Sequence, residues 1–134
     1  MKKNIVEISY TGNNFSASVP SLPGCVSVGN TPREVEENIQ EAIDFHLEGM
    51  EEGGASIPSG FKKNYELIFR FDTQTLLLYY KGIFKATAIE ALTGINQKQI
   101  LQYSSGTKKP RLAQRKKIEE ALHQLGSSLL SIQL

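Results

Sequence analysis

Long polar side chains are concentrated between residues 96 and 111, and their chemistry is hydrogen bonding and charge rather than bond cleavage. A helix here would present Gln97, Lys98, Gln99 and Gln102 on one face. Side chains of this length reach base edges or phosphates when a helix lies in the major groove of DNA. Cationic residues follow in the next loop, where they would contact phosphates. The predicted DNA-binding residues are Asn96, Gln97, Lys98, Gln99, Gln102, Lys108, Lys109 and Arg111.

The limits of this polar helix are readable from its flanking residues. Asn96 is a favourable N-cap, because its side-chain oxygen accepts a hydrogen bond from an unpaired amide of the first turn. Ile100 and Tyr103 recur on the face opposite the polar residues, which predicts that this face is buried. Gly94 suits the end of a preceding short helix, and Gly106 suits a left-handed residue that ends the polar one.

Candidate catalytic residues are sparse. A nuclease that uses magnesium needs several converging carboxylates, and the predicted strands offer only Glu7 and Glu66. His46 falls on an apolar helix stripe, which is typical of a histidine at the edge of a core. Cys25 has no basic partner at a readable spacing and is the only cysteine, so neither a disulfide nor a zinc cluster is expected. We therefore predict a protein without enzymatic activity, metal or cofactor.

Net charge divides the 134 residues into two halves. Residues 1–71 carry six Lys and Arg against ten Asp and Glu, a net charge of −4, whereas residues 72–134 carry nine against four, a net charge of +5. A basic half suits a polyanion, and an acidic half suits a basic protein surface. We predict two domains, 1–71 and 72–134. Neither a membrane span nor a signal peptide is apparent, which predicts a cytoplasmic protein with no membrane partner.

The first half is predicted to be a sheet covered by one helix. Residues 4–9 and 14–19 form a hairpin, residues 25–28 a third strand and residues 65–71 a fourth. Thr31 and Pro32 begin a helix with a capping box, and Gly53 and Gly54 end it. Its apolar stripe consists of Val35, Ile39, Ala42, Ile43, His46, Leu47 and Met50. Its acidic outer surface consists of Glu34, Glu37, Glu41, Asp44, Glu48 and Glu51.

The second half is predicted to be all helical. Asp72 caps a helix that contains Leu76, Tyr80, Ile83 and Phe84, and a short helix with Ala88, Ile89 and Leu92 follows. After the polar helix, residues 113–125 form another helix that Gly126 ends. Residues 127–134 are an apolar tail, which either packs over the core of its own domain or contacts a second copy of the chain.

The second half resembles the Cro/Xre-type helix-turn-helix of bacterial repressors. The matching residues are Gly94, Ile95, Asn96, Ile100, Gly106 and Pro110. The chain departs from the family where the first of the two helices opens, because Lys85, Ala86 and Thr87 replace the usual Thr or Ser followed by Gln. The resemblance implies binding to operator double-stranded DNA as a homodimer or a higher even oligomer, since one recognition helix reads few base pairs.

Residues 15–48 resemble the N-terminal domain of HicB-type antitoxins. The motif is Val-Pro-x-Leu-Pro-Gly-Cys at residues 19–25, followed by Gly29, Asn30, Thr31 and a glutamate-rich helix, although Ser21 stands where Asp is frequent. The resemblance implies an α+β protein, with a partial ribonuclease-H-like βββαβ domain before an all-α helix-turn-helix domain. It also implies an antitoxin that neutralises a HicA-like mRNA-cleaving toxin ribonuclease and represses its own operon.

Two alternatives stay open from the sequence. The chain could be a stand-alone transcriptional repressor whose first domain senses a small ligand, with no toxin partner. It could also be a residual nuclease, which the lack of metal ligands disfavours.

Overall fold

The computed structural model describes all of residues 1–134 and divides them into two compact units, Met1–Thr75 and Leu76–Leu134. The strands are β1 Lys2–Tyr10, β2 Phe15–Ser18, β3 Val26–Gly29 and β4 Tyr65–Phe71. The α-helices are α1 Pro32–Glu52, α2 Thr73–Tyr79, α3 Ala86–Thr93, α4 Gln97–Ser105 and α5 Leu112–Leu130, and a short 3-10 turn spans Ser59–Phe61. The predicted mixed α+β fold is confirmed.

The first unit contains one four-stranded sheet in the order β3-β2-β1-β4. The predicted hairpin pairs β1 with β2 in antiparallel fashion, and the Thr11 amide closes its turn by donating to the Asn14 carbonyl at 2.9 Å. β3 continues the antiparallel pairing on β2, whereas β4 runs parallel to β1. A parallel neighbour requires a crossover connection, and α1 with the loop after it supplies that connection.

The entry into α1 is fixed by two residues. The Thr31 hydroxyl oxygen accepts a hydrogen bond from the Glu34 amide at 3.1 Å, and Pro32 occupies the first helical position, as predicted. Gly29, the last residue of β3, is buried against this first turn, because a Cβ atom there would lie 2.4 Å from the Val35 amide nitrogen. Strand and helix therefore approach each other more closely than any residue with a side chain permits.

The core of the first unit lies between α1 and the sheet. Val35, Ile39 and Ile43 are completely buried, at the spacing of four residues that the sequence predicts. The inward side chains of the sheet, Val6, Ile8, Phe15 and Ala17, are buried as well. Beside this core, buried Asn4 donates a hydrogen bond from Nδ2 to the Gly60 carbonyl at 2.9 Å. That bond anchors the 3-10 turn before β4.

The core of the second unit is an apolar cluster drawn from four helices. Its buried members are Leu77, Ile89, Ile95, Ile100, Tyr103 and Ile118. The predicted Asp72 cap is present in the first unit, where Asp72 Oδ1 accepts a hydrogen bond from the Thr75 amide at 2.7 Å. The helix that it starts ends earlier than predicted, at Tyr79, and leaves Ile83 72% exposed.

The predicted end of the last helix at Gly126 is wrong. α5 continues through Gly126 and Ser127 to Leu130. A glycine inside a helix costs about 1 kcal/mol relative to alanine, which does not stop a long helix when apolar and helix-forming residues follow on both sides. The first half of the apolar tail, residues 127–130, was predicted as part of a separate segment and is instead the last turn of α5.

The close approach at Gly29 yields a stability prediction. The substitution Gly29→Ala should lower the free energy of unfolding of the chain by about 1 to 3 kcal/mol, because α1 must move away from β3 to make room for the added methyl group. Gly49→Ala is the matched control, since nothing lies within 4 Å of the added Cβ on α1, and it should stabilise the helix by about 0.5 to 1 kcal/mol. Urea unfolding followed by circular dichroism measures both. Equal stabilities of the two variants would contradict the packing described.

Candidate partner-binding surfaces

The predicted DNA-binding residues of α4 differ in how far they are exposed. Ile100 and Tyr103 are 1% and 3% exposed and fix the orientation of the helix. Gln97 and Lys98 are exposed, and Gln99 and Gln102 are half-buried. Asn96 caps the helix, since its Oδ1 accepts a hydrogen bond from the Lys98 amide at 2.8 Å. The geometry leaves at least the first turn of α4 open to a partner.

The turn between α3 and α4 is closed by a network of hydrogen bonds centred on Glu90. Gly94 adopts the left-handed conformation with φ of 78°, and its amide donates to the Glu90 carbonyl at 2.8 Å. The Ile95 amide donates to Thr93 Oγ1 at 3.1 Å. The Gln97 amide donates to the Glu90 carboxylate at 2.8 Å. Sequence reasoning missed Glu90, because the bond joins residues seven positions apart across a turn.

The predicted phosphate-contacting residues Lys108, Lys109 and Arg111 are all exposed, in the segment between α4 and α5. This segment is attached to α4 by a hydrogen bond from the Lys108 amide to the Gln102 carbonyl at 3.2 Å. Arg111 is the N-cap residue of α5, and the first turns of that helix add three exposed cations, Arg115, Lys116 and Lys117. The second unit thus joins a polar helix to a cationic segment directly after it.

The outward face of α1 carries an exposed aromatic side chain among its carboxylates. Phe45 is 80% exposed. Glu41 and Glu48 lie four residues before it and three after it, on the same side of the helix, and both are exposed. Sequence reasoning assigned the carboxylates to this surface but did not single out Phe45. The helical period had placed position 45 outside the apolar stripe, and that was the signal for an exposed aromatic residue.

The candidate catalytic residues do not converge. Glu7 lies 3.4 Å from Arg70 and Glu66 lies 3.8 Å from Lys3, both as ion pairs on the solvent-facing side of the sheet. His46 is half-buried on α1. No group of three or more His, Cys, Asp or Glu side chains is placed to hold a metal ion. None of the five helices combines the length and apolar character required to cross a bilayer.

Cys25 lies in the core next to the turn that precedes β3. Its side chain is 3% exposed, its amide donates to the Leu22 carbonyl at 3.0 Å, and its carbonyl accepts from the Val19 amide at 3.2 Å. Burial raises the pKa of the Cys25 thiol, because the apolar surroundings disfavour the thiolate. The residue is therefore a structural part of the Val19–Cys25 turn rather than a nucleophile.

Comparison with known proteins gives a family match within the first unit and two related proteins. A family model described as the HicB_like antitoxin of bacterial toxin-antitoxin systems matches residues 5–67. An uncharacterised 14.9 kDa protein of Haemophilus phage HP1 is 43% identical over 51 residues, which are 38% of this chain and 38% of the phage protein. A UPF0150 protein of Thermoplasma acidophilum is 33% identical over 58 residues, which are 43% of this chain and 84% of that protein. No solved structure matches.

The raised pKa of Cys25 predicts slow thiol chemistry in the folded chain. At pH 8 a disulfide reagent such as dithiobis-nitrobenzoate should label the native protein roughly a hundredfold more slowly than the same chain in urea, because labelling requires local opening. The folded state favours the neutral thiol, so its contribution to stability is present below the pKa of the unfolded thiol and is lost as pH rises above it. Native labelling at the rate of the unfolded chain would contradict the burial of Cys25.

Proposed function

The chain belongs to the HicB-like antitoxin family of bacterial toxin-antitoxin systems, and on this premise we propose that it blocks a small HicA-like toxin ribonuclease and represses the operon encoding both. The observation that carries the proposal is the family match over residues 5–67, which includes α1 and most of the sheet. The protein acts without enzymatic activity of its own, in the cytoplasm, where both mRNA and operator DNA are present.

We assign toxin binding to the first unit, as the partial ribonuclease-H-like domain that its resemblance implies. The element order β1-β2-β3-α1-β4 agrees with that assignment. Such a domain would have the framework of a nucleic-acid enzyme, and this chain places no converging carboxylates of the kind that metal-dependent hydrolysis requires. Inhibition then works by covering the toxin, not by acting on RNA.

The outward face of α1 is the surface that we propose for the toxin. A protein that binds and cleaves RNA presents cations to the phosphates, so its RNA-binding surface is complementary to exposed carboxylates. Glu41 and Glu48 provide such carboxylates, with no ion pair of their own to break. Phe45 between them provides the apolar anchor that buried interface centres commonly contain. Charge would speed the encounter, and burial of the ring would slow dissociation.

We assign operator binding to the second unit, with α3 and α4 as a Cro/Xre-type helix-turn-helix. Gln97, Lys98, Gln99 and Gln102 of α4 would read base edges in the major groove, where Gln and Lys pair with adenine and guanine. Lys108, Lys109 and Arg111 would bind phosphates and so fix the position of α4 on the duplex. Burial of Ile100 and Tyr103 supports the assignment of α4 as the recognition helix, because it leaves Gln97 and Lys98 exposed.

Operator binding of this kind needs a second copy of the chain, and we propose that the C-terminal end of α5 provides the contact. Two recognition helices bind half-sites about 34 Å apart. Leu129, Leu130 and Ile132 are 54%, 90% and 60% exposed, so the alternative that this segment packs over its own core is wrong. Residues 126–134 contain no ionisable side chain. A symmetric contact there brings no like charges together, whereas the acidic face of α1 would repel its own copy.

The first experiment is to purify the tagged chain from its native host and identify what remains bound. We expect a small basic protein that cleaves RNA only after it is released from the chain. In reconstitution, Phe45→Ala should weaken its binding about tenfold or more, because the aromatic anchor is lost. Ile68→Ala is the matched control, since Ile68 is also exposed but lies on β4, and it should leave affinity within about twofold.

Two outcomes would count against this part of the proposal. A greater loss for Ile68→Ala than for Phe45→Ala would move the toxin from α1 to the sheet. Recovery of DNA alone, without any protein, would favour a stand-alone repressor whose first unit responds to a small ligand.

The division between base-reading and phosphate-binding residues is tested on operator variants. Gln97→Ala should cost about 1 to 3 kcal/mol of discrimination at a single base pair. Lys109→Ala should weaken binding to all sequences alike and reduce the slope of log affinity against log salt by about 0.9. Fluorescence anisotropy across a salt series measures both quantities. If the two variants respond identically to every operator substitution, the assignment of their roles fails.

A further inference from the structure

We infer that Glu90 is a specificity-determining residue for DNA binding. Its carboxylate accepts the hydrogen bond of the Gln97 amide at the N-terminus of α4, and a phosphate would otherwise bind that amide. The inference rests on the operator-binding function proposed above for the second unit. Glu90 is not among the residues expected to touch DNA bases. It acts through the position of α4 and through the negative charge that it places at the start of that helix.

Glu90 closes the end of α3 with its carbonyl and joins α3 to α4 with its carboxylate. The Glu90 carbonyl accepts from the Gly94 amide at 2.8 Å, and the Glu90 carboxylate accepts from the Gln97 amide at 2.8 Å. Asn96 Oδ1 accepts from the next amide, that of Lys98, at the same distance. A hydrogen bond to an ionised acceptor is stronger than one between neutral groups. The direction in which Gln97 leaves the turn is therefore set by the Glu90 side chain.

The electrostatics of this end of α4 favour an anion. A helix begins with amides that have no partner within the helix, and the helix dipole adds positive potential there, so a phosphate binds readily. In this chain the first such amide is taken by a carboxylate of the protein itself. Glu90 is half-buried and forms no ion pair with a cation, so the amide and the helix dipole are what balance its charge.

Occupation of this site has a consequence for sequence selection. An open helix N-terminus would hold the backbone of any duplex and would add affinity that is independent of base sequence. With Glu90 in place, that contact is removed and a second anion is repelled. Phosphate binding is then left to Lys108, Lys109 and Arg111. At the start of α4 only the Gln97 side chain contacts the duplex. Glu90 thus lowers non-specific affinity and aligns the base-reading residues.

The test compares Glu90→Ala and Glu90→Gln with Glu120→Ala, which removes an exposed carboxylate of α5 as a control for net charge. The probes are the duplex that the wild-type chain selects from a random-sequence pool and a scrambled duplex of equal length and composition. Affinity for both is measured over a salt series. Circular dichroism melting verifies that each variant is folded.

Glu90→Ala should bind the scrambled duplex about threefold more tightly, because the freed amide donates to one phosphate and the carboxylate no longer repels that phosphate. It should bind the selected duplex about threefold less tightly, because α4 is no longer aligned. The specificity ratio, which is affinity for the selected duplex divided by affinity for the scrambled duplex, should therefore fall roughly tenfold. Glu90→Gln keeps an acceptor oxygen for the Gln97 amide but loses the charge, so its specificity ratio should fall between those of the wild type and Glu90→Ala.

Each other outcome overturns a defined statement. A specificity ratio for Glu90→Ala that matches that of Glu120→Ala overturns the inference. A uniform weakening on both duplexes also overturns it, because that is what a purely structural role would produce. A Glu90→Gln variant that loses as much ratio as Glu90→Ala overturns the role of the hydrogen bond. A wild-type chain that binds no duplex at all overturns the operator-binding function and this inference with it.

Discussion

Burial of one side of a helix is the constraint on which the first unit depends. Val35, Ile39 and Ile43 fill the space above the sheet, and Gly29 allows the helix to begin close to β3. Because a helix repeats every 3.6 residues, fixing these three side chains also fixes which residues face water. For that reason Phe45 and the carboxylates of α1 lie on the outer side of the helix. One side of α1 stabilises this unit, and the opposite side is the surface proposed for the toxin.

The second unit relies more on hydrogen bonds at turns, because its core is small. Ile100 and Tyr103 supply the burial that orients α4, but they leave the first turn of the helix to be positioned otherwise. The side chains of Glu90, Thr93 and Asn96 position this turn. They accept hydrogen bonds from backbone amides between residues 95 and 98. Side-chain caps of this type contribute about 1 kcal/mol each, which is significant for a unit of this size.

Periodicity and capping chemistry made much of the fold predictable from sequence. The start of α1 at Pro32 and the bounds of β4 at Tyr65–Phe71 depend on neighbouring residues alone, and both predictions are confirmed. The continuation of α5 through Gly126 was missed, because a single glycine costs a long helix only about 1 kcal/mol and does not have to end it. The carboxylate of Glu90 on the Gln97 amide was also missed, since it depends on how the turn folds back and not on residue spacing.

The two kinds of interaction proposed for each half respond differently to salt. The charges of −4 and +5 act at a distance and are screened over about 8 Å at physiological ionic strength, so they would govern how fast the proposed toxin or DNA duplex arrives. Contact of Phe45 with an apolar pocket, or of Gln97 with a base edge, is short-ranged and is screened much less. Rising salt therefore weakens both complexes while discrimination between correct and incorrect partners persists. If the proposed partners are correct, a chain with a net charge of only +1 would in this way recruit two oppositely charged molecules and still select each one by contact.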